Sequence, residues 1–380
     1  NDPAVKGRIE EAEELFNTEI EFLQERDIPS INMTRLVGGD STYDLWFAQS
    51  RIGYYELVSE DAVLNMGEIL PDEYYETLSV PEREAINILE FKGEKYGIGD
   101  THYGMGVWDT GNIVMYYNEN IIEEVGGPDP YELYENDEWT WEEAGKLFEA
   151  TTRDTEGDGE TDQWALRFFQ PIPFSVANGA SVTRENEEGE IVFSYDEPEA
   201  IEAMEQMQDW NDEGYVADDA EYGFHESFPM GEVAFYIHFV GKGEEFMDME
   251  DEWTMIPLPK GPSADRYMYP HWSPETTLIP ANAEQPEALA ALRTFLFREE
   301  DVDLNTMLSR YVRNEKSGRT FQTIQEEWQG ETRYLLENFG GSMVQDIVEN
   351  DVVLGDDDPS AAMEEIKPVI QSEIDELFGQ

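Results

Sequence analysis

Thr140 to Phe169 reads TWEEAGKLFEATTRDTEGDGETDQWALRFF and contains a helix signal, an acidic loop and a strand signal in direct succession. Thr140 is a good helix cap with Glu143 three residues later, so this spacing predicts a helix that continues to about Thr151. Trp164 to Phe169 is apolar and aromatic, which predicts a strand. A helix and a strand that alternate in this way indicate an α/β fold.

The same alternation extends along the chain in both directions. The apolar spacing predicts amphipathic helices over 6–17 and 197–213, and helical structure from Glu284 almost to Gln380 with breaks at Gly340-Gly341 and around 356–359. Gly126 to Glu138 is rich in Gly, Pro and Asp and reads as a connector. The predicted strands are Glu19–Leu23, Tyr43–Phe47, Lys95–Ile98, Ile113–Tyr117, Trp164–Phe169, Gly231–Phe239 and Trp253–Pro259.

The acidic loop has the ligand spacing of a calcium loop. If Asp154 is position 1, oxygen ligands recur at alternating positions around Gly159, which allows a sharp turn at position 6. The usual Glu at position 12 is replaced by Ala165, so Gln163 becomes the candidate sixth ligand. The predicted calcium ligands are Asp154, Glu156, Asp158, Glu160 through its carbonyl, Asp162 and Gln163. The alternative is an acidic turn that binds no metal.

Composition and charge exclude several classes of protein. The 380 residues exceed the usual size of one hydrophobic core, so two domains are expected. A 40% hydrophobic content excludes a disordered chain, although 87 acidic against 23 basic residues give a net charge of -64. This charge argues against nucleic acid and anionic membranes as partners and favours a saline habitat, where salt screens the repulsion. The chain has no cysteine, which excludes disulfides and thiolate metal sites.

No apolar run approaches the roughly 18 residues that a membrane span requires. Asn1 opens directly onto a charged helical pattern, so we expect either a cytoplasmic protein or one whose leader has been removed. The triplet Asn32-Met33-Thr34 is a glycosylation sequon that matters only outside the cell, and such triplets often occur by chance.

The order of the segments resembles the extracellular solute-binding proteins of sugar importers, the family-1 receptors of ABC uptake systems. Each motif is weak alone, but their order and spacing together are specific, and they cover nearly the whole chain. The motifs are Gly93–Gly99, Val114–Asn118, Val125–Gly127, Trp139–Glu143, Asp154–Asp162, Gly231–Tyr236, Ile256–Gly261, Leu278–Pro280 and Gln285–Ala288.

This resemblance implies a periplasmic-binding-protein-like fold of type II, with two α/β lobes and a ligand cleft between them. The hinge crossings would lie near Trp108 to Asn112 and near Pro257 to Gly261. Lobe one would comprise 1–110 with 261–312, and lobe two 111–260 with 313–380. Lobe closure would trap a sugar, and the closed form would dock on the permease. In a subgroup that imports acidic oligosaccharides, a calcium loop of this type lies in the second lobe.

Members of this family normally begin with a strand, preceded by a secretion signal and often by a lipid-anchored cysteine. We therefore expect the natural protein to begin before Asn1, with membrane attachment only through such an anchor. The expected location is extracellular or cell-surface, periplasmic where the source has an outer membrane. A monomer is usual for the family.

A carbohydrate site needs apolar ring faces and planar polar groups, and strand ends that face a cleft are where to seek them. Core packing is the alternative for each aromatic residue. Arg51 and Arg167 are scarce cations that either pair with local carboxylates or, if they face the cleft, favour an acidic sugar. The candidate ligand-binding residues are Phe47, Gln49, Arg51, Trp108, Asp109, Phe169, Gln170, Phe174, Tyr236, His238, Phe239, His271 and Trp272.

The leading hypothesis is a binding receptor without chemistry, which captures an oligosaccharide outside the cell for a membrane permease. A calcium-stabilised surface or adhesion protein is the first alternative. A glycoside hydrolase is the second, since the many carboxylates always allow an acid and a nucleophile to be proposed. No carboxylate pair is distinguished from the acidic surface, which disfavours the hydrolase.

Overall fold

The computed structural model divides the chain into two compact units. Unit 1 comprises Asn1–Gly111, Ser273–Leu304 and Trp328–Asn338, and unit 2 comprises Asn112–Trp272, Asn305–Glu327 and Phe339–Gln380. The residues that the structure describes are 3–23, 43–49, 54–76, 78, 83, 86–87, 89–98, 111–167, 171–217, 225–270, 275–296, 304–327 and 343–379.

The described helices occur in both units, together with a 3-10 helix at Val240–Phe246 and a π-helix at Ile347–Val353. In chain order the α-helices are α1 Pro3–Phe16, α2 Tyr54–Ser59, α3 Met66–Ile69, α4 Asp72–Glu76, α5 Glu119–Val125, α6 Pro130–Glu135, α7 Trp141–Thr151, α8 Pro171–Val176, α9 Pro198–Asp212, α10 Pro286–Leu296, α11 Leu304–Tyr311, α12 Glu315–Glu327, α13 Met343–Asp346 and α14 Pro359–Phe378. In the part of the chain that is described, no helix is both long and apolar enough to cross a membrane.

The described strands form three sheets. They are β1 Trp46–Gln49, β2 Ile113–Asn118, β3 Trp164–Arg167, β4 Thr183–Glu185, β5 Ile191–Phe193, β6 Val233–Phe239, β7 Trp253–Ile256 and β8 Glu275–Leu278. Strands β1 and β8 pair in unit 1, and β4 pairs with β5 in unit 2. The central sheet of unit 2 has four strands in the order β3-β6-β2-β7, with β3 parallel to β6 and β2 antiparallel to both of its neighbours.

The core of unit 2 is built around β2, all of whose residues are buried. Tyr116 lies among the rings of Phe228, Phe246 and Trp253, at centroid distances of 6.3, 5.2 and 5.5 Å. A strand that is buried along its whole length indicates a sheet covered on both faces, which is the arrangement of α/β proteins.

In unit 1, a small core joins Met66, Ile98 and Ile279, all fully buried. Helix α1 packs on α10, and the Arg8 guanidinium donates to the carbonyl of Leu296 at 2.8 Å. This buried contact ties the start of the chain to the segment that follows β8.

Several local predictions differ from the structure. Strand β1 begins at Trp46 rather than Tyr43, and β7 ends at Ile256 rather than Pro259. Residues 19–23, predicted as a strand, have no regular secondary structure, because alternation alone supplies no pairing partner. Residues 95–98 make only an isolated bridge from Ile98 to Thr277. The predicted connector at 126–138 contains helix α6, whose Asp129 side chain caps the helix by accepting from the Tyr131 amide at 3.0 Å.

The segment 257–270, which contains the crossing predicted near Pro257 to Gly261, is tied into unit 2. Lys260 donates its amide to the Trp139 carbonyl at 3.0 Å, and Ser263 donates to Asn178 Oδ1 at 3.0 Å. Gly261 has the closest packing here, because a Cβ at this position would lie 2.6 Å from both Asn178 Cγ and Trp141 Cζ2. The backbone therefore passes where only glycine fits.

The outer edge of β5 is covered by one side chain of α14. The Phe193 amide donates to Gln371 Oε1 at 2.9 Å, and Gln371 Nε2 donates to the Ile191 carbonyl at 3.3 Å. These are the two bonds that one residue of a parallel neighbouring strand would make. The Gln371 amide therefore takes the place of another strand.

Candidate functional site

The central sheet of unit 2 presents several strand ends at one edge. Because β3, β6 and β7 all run opposite to β2, the carboxyl ends of these three strands meet the start of β2. In α/β sheets, ligands bind outside the carboxyl ends of the strands. We therefore call this boundary, from Arg167 at the end of β3 to Ile256 at the end of β7, the carboxyl edge.

Aromatic residues are concentrated where β6 reaches this edge. Tyr236 and His238 stack at a centroid distance of 5.4 Å, and His238 meets Phe239 edge-on at 4.3 Å. His225 comes from outside the sheet, with Nδ1 3.2 Å from the Tyr236 hydroxyl and its ring 5.8 Å from that of His238. Tyr236 and His238 are buried, Phe239 is half-buried and His225 is exposed, so the last two offer surface to a ligand.

The electrostatics keep His238 neutral. Burial, reinforced by the charge of Lys242 and by His225, lowers the pKa of His238 to about 2. Its Nδ1 accepts the Phe239 amide at 3.0 Å, which leaves the proton on Nε2. Lys242 is itself buried and pairs with Glu245 at 2.5 Å. His238 thus acts as a neutral, fixed imidazole at the edge.

Arg167 provides a half-buried guanidinium at the neighbouring strand end. It lies opposite Tyr236 in the β3–β6 register, and its Nη1 donates to the carbonyl of Ala217. The sequence left open whether this arginine pairs with a carboxylate or faces a ligand. The structure shows a backbone carbonyl as one partner and brings the side chain to the same edge as Phe239 and His225.

Phe174 does not belong to this edge. Its side chain is wholly buried, stacks on Trp141 at 5.2 Å and meets Trp210 at 5.1 Å, because α8 packs inward against α9. In unit 1, Phe47 is 38% exposed on β1. Gln49 ends the same strand, opposite Glu275. Other candidate ligand residues lie outside the described residues, namely Arg51, Trp108, Asp109, Phe169, Gln170, His271 and Trp272.

No local sequence pattern marks His225 as a site residue. It follows the segment 218–224, which the structure leaves undescribed, and it reaches the edge only through tertiary packing. Because His225 is far in sequence from the end of β6, its position beside Tyr236 and His238 could not be predicted from the strand pattern. A search for histidines in this chain, which has four, would have selected it.

The loop at 154–162 forms a tight turn around two carboxylates. Asp154 accepts the amides of Gly157 at 2.5 Å and Gly159 at 2.7 Å, and Asp162 accepts those of Thr155 and Glu156 at 2.9 and 3.0 Å. These backbone hydrogen bonds lower the pKa of both Asp154 and Asp162. Both carboxylates therefore remain charged.

The other predicted calcium ligands include Asp158 and Gln163, whose side chains make hydrogen bonds within the protein. Asp158 accepts the Glu160 amide at 3.0 Å, whereas the Gln163 side chain accepts from Arg153 Nε at 2.6 Å and donates to the Gly231 carbonyl at 3.3 Å. Among the described residues, no three acidic or histidine side chains converge as a metal site. Asp154 and Asp162 fit a calcium loop, and the other carboxylates would have to turn inward to complete it.

The comparison with protein families decides the relationship. The model for bacterial extracellular solute-binding proteins matches residues 57–301, which is more than half of the chain. The chain belongs to the bacterial extracellular solute-binding protein family. The search of curated proteins found no match.

Solved structures resemble this solute-binding protein over almost its full length. A cyclo/maltodextrin-binding protein complexed with maltotetraose has a TM-score of 0.68 at 16% identity, covering 98% of this chain and 95% of the other. The maltose/maltodextrin-binding domain MalE from Bdellovibrio bacteriovorus, bound to maltotriose, has a TM-score of 0.65 at 15% identity, covering 98% of this chain and 97% of the other. UgpB from Mycobacterium tuberculosis, in complex with glycerophosphocholine, has a TM-score of 0.65 at 14% identity, covering 98% of this chain and 95% of the other.

At these identities the likeness establishes the fold. The predicted fold class, two-lobed, periplasmic-binding-protein-like α/β of type II, is thereby confirmed. The family is one of binding proteins, which agrees with the absence of any predicted catalytic residue.

Proposed function

We propose that this solute-binding protein is the extracellular receptor of an ABC importer, which captures an oligosaccharide and delivers it to a membrane permease. The carboxyl edge of unit 2 carries this proposal, because Phe239 and Arg167 end neighbouring strands there and His225, from outside the sheet, contacts Tyr236 and His238 at the same edge. The sugar complexes among the similar structures support a carbohydrate ligand.

The chemistry of the edge suits a sugar. The half-buried Phe239 ring has an apolar face suited to the C–H surface of a pyranose, and the planar guanidinium of Arg167, whose Nη1 also donates to the Ala217 carbonyl, is a group suited to sugar hydroxyls. His238, held neutral, fixes the Phe239 ring by edge-on contact. A binding role without chemistry requires no acid and base pair.

Isothermal titration of the whole chain, in molar salt, with neutral and uronic-acid oligosaccharides tests this proposal. We expect at least one sugar series to bind with a Kd well below millimolar, and Phe239→Ala to weaken binding about tenfold through loss of the ring contact. Phe22→Ala, which removes a 52% exposed ring in unit 1, is the matched control and should leave the Kd unchanged. Millimolar or weaker binding across the panel would contradict a sugar receptor.

Lobe closure on the bound sugar is part of the same proposal. Small-angle scattering should show a smaller radius of gyration when a sugar that binds is added. A calcium-stabilised adhesion protein would keep one radius with and without sugar. The proposed state is a monomer outside the cell, attached to a membrane only if a lipid anchor precedes Asn1.

We propose that the loop at 154–162 binds calcium as a structural ion. Asp154 and Asp162 already turn their carboxylates into the loop, and Glu156, Asp158 and the Glu160 carbonyl follow the ligand spacing. Gln163 as a sixth ligand would have to share its oxygen with Arg153. The ion would neutralise carboxylates that otherwise repel one another.

We also propose a saline habitat, on the basis of the net charge of -64. At molar salt the screening length falls to about 3 Å, so neighbouring carboxylates on the surface no longer repel one another strongly. The protein would then be most stable in concentrated salt.

A further inference from the structure

A group of tyrosines lies at the other end of the carboxyl edge. The tyrosine cluster consists of Tyr134 on α6 and Tyr267 and Tyr269 after β7, with Glu327 at the end of α12. The rings of Tyr134 and Tyr267 meet edge-on at 4.9 Å, and the hydroxyls of Tyr134 and Tyr269 are 3.4 Å apart. The Tyr269 hydroxyl then donates to Glu327 Oε2 at 3.3 Å. All four residues belong to unit 2.

Backbone contacts place this cluster beside the start of β2. The Ile113 amide donates to the Pro270 carbonyl at 2.7 Å, and Asn112 Nδ2 donates to the Tyr269 carbonyl at 3.4 Å. On the other side of β2, the Asn112 carbonyl accepts the Val240 amide at 2.9 Å, directly after β6. The tyrosine cluster and the aromatic end of β6 therefore flank the same strand start from opposite sides.

The distance along the edge sets a ligand length. From β3 to β7 the sheet makes three strand-to-strand steps. At about 4.8 Å a step, Arg167 and the β7 side are roughly 14 Å apart along the edge. This span is longer than one sugar ring, so only a chain of several rings reaches both ends.

The cluster is arranged to meet a polar ring. Tyr134 and Tyr267 are half-buried, so their rings keep exposed surface. Burial raises the pKa of Tyr134 and of Tyr269, which keeps both hydroxyls protonated at neutral pH, so that Tyr269 donates to Glu327 and Tyr134 can donate to Tyr269. One side of Tyr267 is fixed by the Lys260 ammonium, 5.1 Å from the ring centroid, which Asp137 binds at 2.6 Å.

We propose that the tyrosine cluster is a second saccharide subsite of this receptor, which takes an uncharged pyranose ring at one end of an oligosaccharide of three or more rings. The inference rests on the proposed function of the carboxyl edge as a sugar site. Tyrosine rings would contact the C–H face, and the Glu327 carboxylate, which is exposed, would accept a pair of hydroxyls. The same carboxylate repels a uronate, which makes this end selective for a neutral ring.

The experiment compares chain lengths. Wild type, Tyr134→Leu and Glu327→Gln are titrated with glucose, mannose and uronic-acid chains of one to six rings, with melting curves to show that each variant folds. Tyr215→Leu is the matched control, because Tyr215 is a half-buried tyrosine of unit 2 whose carbonyl accepts the Leu166 amide of β3, at the opposite end of the sheet order from β7 and the cluster.

In the wild type, affinity should rise with length until the chain reaches the cluster. Tyr134→Leu should then weaken the binding of chains of three or more rings about two- to tenfold and leave the affinity for one-ring and two-ring sugars unchanged. The control Tyr215→Leu should bind every chain length as the wild type does. Glu327→Gln should make the affinity for a chain with a terminal uronate more similar to the affinity for the corresponding neutral chain. A loss that is equal at every length, or no loss, would overturn the second subsite while leaving the receptor intact. Failure of the wild type to bind any sugar would overturn both.

Discussion

Replacing Gly261 by alanine tests the tight passage of the backbone through unit 2. The new Cβ would lie 2.6 Å from Asn178 Cγ and from Trp141 Cζ2, and closer still to Asn178 Oδ1. Asn178 is fully buried and donates to the Glu199 carbonyl at 2.8 Å while accepting from the Ser263 amide at 3.0 Å. The amide therefore cannot turn aside without losing buried hydrogen bonds.

The magnitude follows from two costs. Overpacking of this kind costs about 1–3 kcal/mol, and the loss of one or two buried hydrogen bonds adds about 1 kcal/mol each. We expect a total of about 2–5 kcal/mol. For a unit of this size each kcal/mol lowers the Tm by about 2–4 °C, so Gly261→Ala should melt roughly 4–20 °C below the wild type.

Thermal unfolding followed by circular dichroism in molar salt measures the effect. Gly145→Ala is the matched control, because Gly145 lies inside α7, where a Cβ meets only Trp210 Nε1 at an ordinary 3.6 Å. That variant should gain about 0.5–1 kcal/mol from helix propensity. The Asn178→Ala change should lower the cost of Gly261→Ala, since it removes one clash. Equal melting of Gly261→Ala and wild type, or full additivity with Asn178→Ala, would refute the reasoning.

Three further predictions concern pH, metal and salt. Burial lowers the pKa of His238 in the folded chain to about 2, so below the ordinary pKa of about 6.5 only the unfolded chain binds a proton at this histidine. Between pH 7 and pH 5 the free energy of unfolding, measured with urea, should therefore fall by up to about 2 kcal/mol more in the wild type than in His238→Asn. Parallel pH profiles of the two proteins would contradict this. Asp158→Ala should lower the Tm only when calcium is present, because it removes the stabilisation by the bound ion, which is roughly 2–3 kcal/mol at a calcium concentration 100-fold above the Kd. An equal drop in Tm in chelator would show that the loop holds no metal. The Tm of the wild type should rise when NaCl is increased from 0.1 to 2 M, and a flat profile would argue against an acidic surface adapted to salt.

The periodicity of apolar residues predicted the long helices and strands well, because the buried face of each follows from the spacing of its own residues. Helix α9 occupies 198–212 within the predicted 197–213, and β6 occupies 233–239 within the predicted 231–239. Helix α6 was missed because its turn residues read as a connector. Asp129 followed by Pro130 is also a helix start, with a capping oxygen and a proline in the first turn.

The candidate site was predictable only where it coincides with a strand end. Tyr236, His238 and Phe239 follow from the aromatic run of β6, although the sequence could not show that the first two are buried. Phe174 has the same residue type and a similar setting, yet α8 turns it into the core. The tyrosine cluster combines residues from α6, the segment after β7 and the end of α12, so no local pattern indicates it.

The amide of Gln371 on the edge of β5 has a consequence for how molecules of this protein meet. In dilute buffer, a charge of -64 keeps copies apart, but concentrated salt removes that long-range repulsion. An unpaired strand edge then becomes a place where a second chain could add. Since Gln371 occupies both the Phe193 donor and the Ile191 acceptor, this edge offers an incoming strand nothing to bind. Colloidal stability in brine therefore depends here on a neutral side chain, and Gln371→Leu would make the protein more prone to self-association as salt is added.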